Sequence, residues 1–155
     1  MRRSSTLVAH VTSGVDLNRR ACLTGLLLMP IVPVYSQSAN VVVIVHPDNP
    51  HAVDRVFVQR LYTGVLRAWP DGSPAFALDL PEEHATREAF SQQWLSRSVA
   101  NVRTLWAQNV FTGKGLPPRI TSVEVEMRRL VATNRNAIGY VAVTQADASL
   151  RSIRL

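Results

Sequence analysis

Cysteine is all but missing from this sequence, with Cys22 the only one, and it lies within an apolar segment near the amino terminus. A domain formed by the residues beyond that segment has no disulfide, no thiolate nucleophile and no cysteine-based metal site. Lysine is equally scarce: Lys114 is the only one, and every other basic residue is arginine. Past residue 39 there are 13 Lys+Arg and 10 Asp+Glu, a net of +3, half the +6 of the whole chain. That balance, without a clustered basic stretch, argues against a nucleic-acid partner. Long apolar runs are missing too. The longest, Ala21–Val34, is broken by Pro30 and Pro33 and falls short of the ~20 residues that cross a bilayer.

The amino-terminal segment has a defined order. Arg19-Arg20 precede the apolar stretch, and Tyr35-Ser-Gln-Ser-Ala39 follows it with small residues. A positive start, a short apolar centre and a small-residue exit form the tripartite pattern of a secretory signal. Residues 1–39 are therefore expected to be a cleaved signal peptide, with residues 1–17 standing ahead of it as extra sequence. Membrane contact is expected only through the uncleaved signal, and the location is expected to be periplasmic. Asn18-Arg19-Arg20 bears a weak likeness to a twin-arginine signal. Cys22 opens the apolar run rather than closing it, which does not suit lipidation.

Residues 40–155 read as one domain. Val41–Val45 is a continuous β-branched run, as in a strand covered on both faces. Residues 52–62 predict a helix with Val53, Val56, Phe57 and Leu61 inward and Gly64 as its stop. Trp69-Pro-Asp-Gly-Ser-Pro74 is turn chemistry, and Ala75–Asp79 a short strand. Pro81-Glu82-Glu83 suits a helix start, with Ala85, Ala89, Phe90 and Trp94 buried. Ser98 caps a further helix with Val99, Val102, Trp106 and Val110 in a stripe. Thr121 and Glu124 read as a capping box opening a helix with Val123, Met127, Leu130 and Val131 inward. Ile138–Val143 is a strand, followed by a helical turn at 144–148 and a terminal strand at 150–155. This interleaving predicts a three-layer α/β domain with a mostly parallel sheet.

Four segments resemble a known family. Val56-Phe57 … Leu61-Tyr62-Thr63-Gly64 … Trp69-Pro70-Asp71-Gly72, Arg87-Glu88-Ala89-Phe90, Phe111-Thr-Gly-Lys-Gly115 and Asn136-Ala-Ile-Gly-Tyr-Val141 are similar, in order, to segments of phosphate-transport substrate-binding proteins. The resemblance implies a type 2 periplasmic-binding-protein fold and matches the second of that family's two lobes. It implies a single lobe that binds phosphate or another small anion without covalent chemistry, in connection with an ABC transporter or with envelope sensing. The family's anion loop, Arg-x-x-x-Ser-Gly-Thr, is not kept. Asp79 stands at its arginine position, and only Thr86 remains near its end. That departure favours a second reading, an envelope accessory protein that keeps the fold without the ligand and works through a membrane-protein partner.

The expected ligand-binding residues are Thr86, Arg87, Lys114, Gly139 and Tyr140, near the carboxyl ends of the strands. Arg87 and Thr86 stand early in a helix, where anions are favoured; the structural alternative for Arg87 is a surface pair with Glu83. Lys114 lies between two glycines that would let backbone approach a ligand, or form a plain exposed turn. Gly139 and Tyr140 also suit close strand packing and a core tyrosine. His46, Asp48 and His51 are too loosely spaced, and broken by prolines, to read as a metal site. Glu82, Glu83 and His84 read as partners of a helix dipole rather than as acid–base machinery. No nucleophile elbow or zinc motif is present, so neither an enzyme nor a cofactor is expected.

Overall fold

Residues 40–155 are described by the computed structural model; the expected signal peptide lies outside the described residues. Val41–Val45 form strand β1, every residue buried. The chain continues through α1 (Arg55–Tyr62), β2 (Phe76–Asp79), α2 (Ala85–Phe90), α3 (Val99–Phe111), β3 (Arg119–Ile120), α4 (Glu124–Thr133), β4 (Ala137–Ala142) and β5 (Arg151–Ile153). A π-helical turn, Ser91–Leu95, extends α2, and a 3₁₀ turn, Val143–Gln145, follows β4. No helix among the described residues is long and apolar enough to cross a membrane.

The five strands lie in the order β3-β2-β4-β1-β5. β2 pairs in parallel with β3 and β4, while β1 pairs antiparallel with β4 and β5. Only β1 runs against the others, so the sheet is mostly parallel. β1 lies inside the sheet between β4 and β5 and is covered on both faces, which is why its sequence is apolar without alternation. Successive residues of β4 show the two faces. An added Cβ at Gly139 would meet Met127 and Val131 of α4. Tyr140 stacks on Phe90 of α2 with ring centroids 3.8 Å apart and lies edge-on to Tyr62 of α1. Helices on both faces of one sheet make the three layers.

Three helix starts differ from the sequence reading. Asp54 is the cap of α1, its carboxylate accepting from the Phe57 N–H at 2.7 Å. The inward positions counted back from Leu61 are therefore Val58 and Phe57, and Val56 is exposed. Residues 81–84 form a turn, closed by the His84 N–H on the Pro81 carbonyl, so α2 begins at Ala85 and buries Thr86 and Arg87 while Ala85 faces out. Ser98 caps α3 as expected.

The expected capping box is not formed. Thr121 donates both its N–H and its hydroxyl to the Asp79 carbonyl, ending the short parallel pairing of β3 with β2. Glu124 instead turns inward, where it accepts from the Thr86 hydroxyl and from the Ala142 N–H. These donors on neighbouring elements outcompete a local cap. Val123 holds the cap position with no side-chain bond and is exposed, as is Val110 at the far end of α3.

Candidate functional site

Asp79 ends β2 and is held inside the protein, its side chain 9% exposed. Its Oδ1 accepts from the Leu80 N–H at 2.9 Å and from the Tyr140 hydroxyl at 2.5 Å. The Arg87 Nε lies 3.0 Å from the same oxygen, and the Arg87 Nη1 donates to Ser91 Oγ at 2.9 Å. Each position follows from the chain. Asp79 sits at the carboxyl end of a parallel strand, Tyr140 points from neighbouring β4 to the helical layer, and Arg87 lies in the first turn of α2.

Burial raises the Asp79 carboxyl from its ordinary value, against the pull of the Arg87 guanidinium and the Tyr140 and Leu80 donors. Burial, reinforced by the Asp79 charge, pushes the Tyr140 phenol far above its usual range. Tyr62, whose hydroxyl donates to the Leu78 carbonyl at 2.8 Å, is raised for the same first reason.

Two of the five residues expected from the sequence thus converge: Arg87 and Tyr140 meet on Asp79 at the end of β2, while the Thr86 hydroxyl turns to Glu124. Gly139 is adjacent in sequence but faces α4. Lys114 is exposed in the turn after α3, its N–H bonded to the Asn109 carbonyl at 2.7 Å, and it lines neither cleft described below. Arg87 is neither on the surface nor paired with Glu83. Its partner is Asp79, a residue visible in the sequence only as a departure from the Arg-x-x-x-Ser-Gly-Thr pattern. Glu124 and Ser91 were missed, because their roles depend on elements meeting in space.

A cleft of about 380 Å³ opens beside this cluster, lined by Asp79, Glu82, Arg87, Arg103, Val102 and Trp106 among others. Its charges cancel: Arg87 faces Asp79, and on the rim Arg103 reaches Glu82 at 3.1 Å. The free donors at the start of α2 are also taken, since the Thr86 N–H bonds to His84 Nδ1 and the Arg87 N–H to the His84 carbonyl. The Thr86 and Ser91 hydroxyls are engaged by Glu124 and Arg87. No group of three His, Cys, Asp or Glu among the described residues is placed to hold a metal ion.

No family model and no curated protein matches this chain. Solved structures do. A phosphate ABC transporter substrate-binding protein of Clostridium perfringens with bound phosphate is similar at a TM-score of 0.59 and 22% identity, over 74% of this chain and 44% of that one. An ABC-type phosphate transport receptor of Vibrio cholerae matches at 0.59 and 18%, over 74% and 45%. PstS of Borrelia burgdorferi matches at 0.56 and 8%, over 75% and 47%. The shared feature is the fold, and this chain spans less than half the length of each of these structures. Residues 40–155 have the fold of one lobe of a phosphate-transport substrate-binding protein.

Proposed function

We propose that this chain is an exported, non-enzymatic binding-protein-like module that works in the periplasm through a protein partner of the cell envelope, and not by tight capture of phosphate. The observation that carries this reading is the Asp79 carboxylate on Arg87. An oxyanion recruited to a buried guanidinium gains most when that charge is unmatched. Here the protein supplies the anion itself, and Glu82 and Glu124 stand close by. Export rests on the tripartite pattern before residue 40 and on the transport role named for the similar structures.

A second reading, direct binding of phosphate or a related oxyanion by Thr86, Arg87 and Tyr140, without Lys114 or Gly139, is favoured by the phosphate bound in the Clostridium structure. Titration calorimetry of the full chain with phosphate and sulfate separates the two. We expect no saturable heat at millimolar anion. Micromolar binding that is lost in Arg87→Ala would establish the second reading and overturn the first.

A further inference from the structure

A larger cleft, of about 710 Å³, opens toward the other end of β2. Its walls include Ala75 and Phe76 at the start of that strand and Thr133 and Asn134 at the end of α4; it extends away from Asp79 and adjoins the smaller cleft at Trp106, Pro117 and Pro118, which line both. Trp106, Leu61, Leu66, Leu116 and Leu130 give it an apolar lining. The volume lies in the range of small-molecule sites.

Its charge is one-sided. Arg67 and Arg119 are the only ionisable residues in the lining, and no carboxylate is among them. Neither guanidinium has a hydrogen-bond or ion-pair partner among the described residues, in contrast to Arg87 and Arg103 at the smaller cleft.

Arg67 also lies close against Gly115. Gly115 adopts φ +137, and a Cβ there would lie 2.5 Å from Arg67 Nη2 and 2.6 Å from its Cζ. The guanidinium rests against backbone that only glycine leaves bare. The second glycine of Gly113-Lys114-Gly115 thus makes room for an arginine, whereas Lys114 itself points elsewhere.

We propose that this cleft binds a small organic carboxylate with an apolar body, the carboxylate held by Arg67 and Arg119 and the body lying against Trp106, Leu116 and Leu130. Guanidinium matches carboxylate in geometry and charge. Inorganic phosphate would satisfy the arginines and leave the apolar walls wet. The proposal does not depend on the Asp79–Arg87 reading, because its anion site, Arg67 and Arg119, involves neither Asp79 nor Arg87.

The test is titration of the full chain with 4-phenylbutyrate, with 4-phenylbutanol and inorganic phosphate as comparisons, followed by the NMR signals of Leu66, Leu130 and Thr133, which line this cleft and not the smaller one. We expect saturable binding of the acid, at least about tenfold tighter than the alcohol. Arg67→Gln and Arg119→Gln should each bring the acid down toward the alcohol without changing the melting temperature, because both side chains are exposed. Gly115→Ala should also weaken binding of the acid, both by crowding the guanidinium and by straining the turn at φ +137. Any of four results would overturn the proposal: no saturation, equal affinity for acid and alcohol, acid binding unchanged in Arg67→Gln and Arg119→Gln, or shifts confined to Val102 and Arg103 at the other cleft.

Discussion

At the scale of single residues, the pairing of Asp79 with Arg87 governs the site. The sequence placed Arg87 early in a helix and set an acid where the family it resembles carries arginine, but eight residues of chain do not show that the two meet. They meet because β2 ends where α2 begins its first turn. Breaking a buried pair leaves one charge uncompensated, which costs about 3–5 kcal/mol, whereas removing both partners costs far less. Arg87→Met should therefore destabilise the fold by about that amount, and Asp79→Asn combined with Arg87→Met should recover much of the loss. Urea unfolding of the two variants and the wild type measures the difference. If the double variant were as unstable as Arg87→Met, the pair would not be the source of the cost.

At the scale of elements, helix α4 lies directly on strand β4, and Gly139 allows it. A Cβ there would sit 2.7 Å from Met127 Cγ and 2.8 Å from its Sδ. Met127 is flexible enough to yield in part. Gly139→Ala should cost about 1–3 kcal/mol by overpacking, and Gly139→Val more, because its branched side chain presses further into the same helix. Combined with Met127→Ala, either should cost less than the sum of the two single losses, as read from thermal melts; strict additivity would place the strain in the backbone instead. Close packing at this glycine was legible in the sequence as one of two readings. The two-residue strand β3 was not, since Arg119 and Ile120 are exposed and only the Thr121 bonds to Asp79 bring them to the sheet.

At the scale of the whole molecule, the phenols of Tyr62 and Tyr140 bind the sheet to its helical layer and stay protonated there. In the unfolded chain they ionise near their ordinary value of 10.0, while burial lifts both well above it in the fold. Unfolding at high pH thus releases protons, so the stability they contribute is full below that value and falls as pH rises beyond it. Between about pH 9 and 12 the melting temperature should drop, with phenolate absorbance appearing together with loss of helical signal. Tyr140→Phe should flatten that slope, and phenolate in excess of the one from Tyr35 appearing in a still-folded protein would contradict the account.

The sequence by itself determined the three-layer plan, because apolar period and turn chemistry are local properties of the chain. It also offered Thr86, Arg87, Lys114, Gly139 and Tyr140 as one binding set, of which Arg87 and Tyr140 share a partner in Asp79. Only the tertiary structure decided that Asp79 neutralises Arg87, that Glu124 faces Thr86 instead of capping its own helix, and that Gly115 seats Arg67. Those outcomes depend on which donors and acceptors from distant segments arrive at the same place, and burial makes such encounters stronger than the local alternatives.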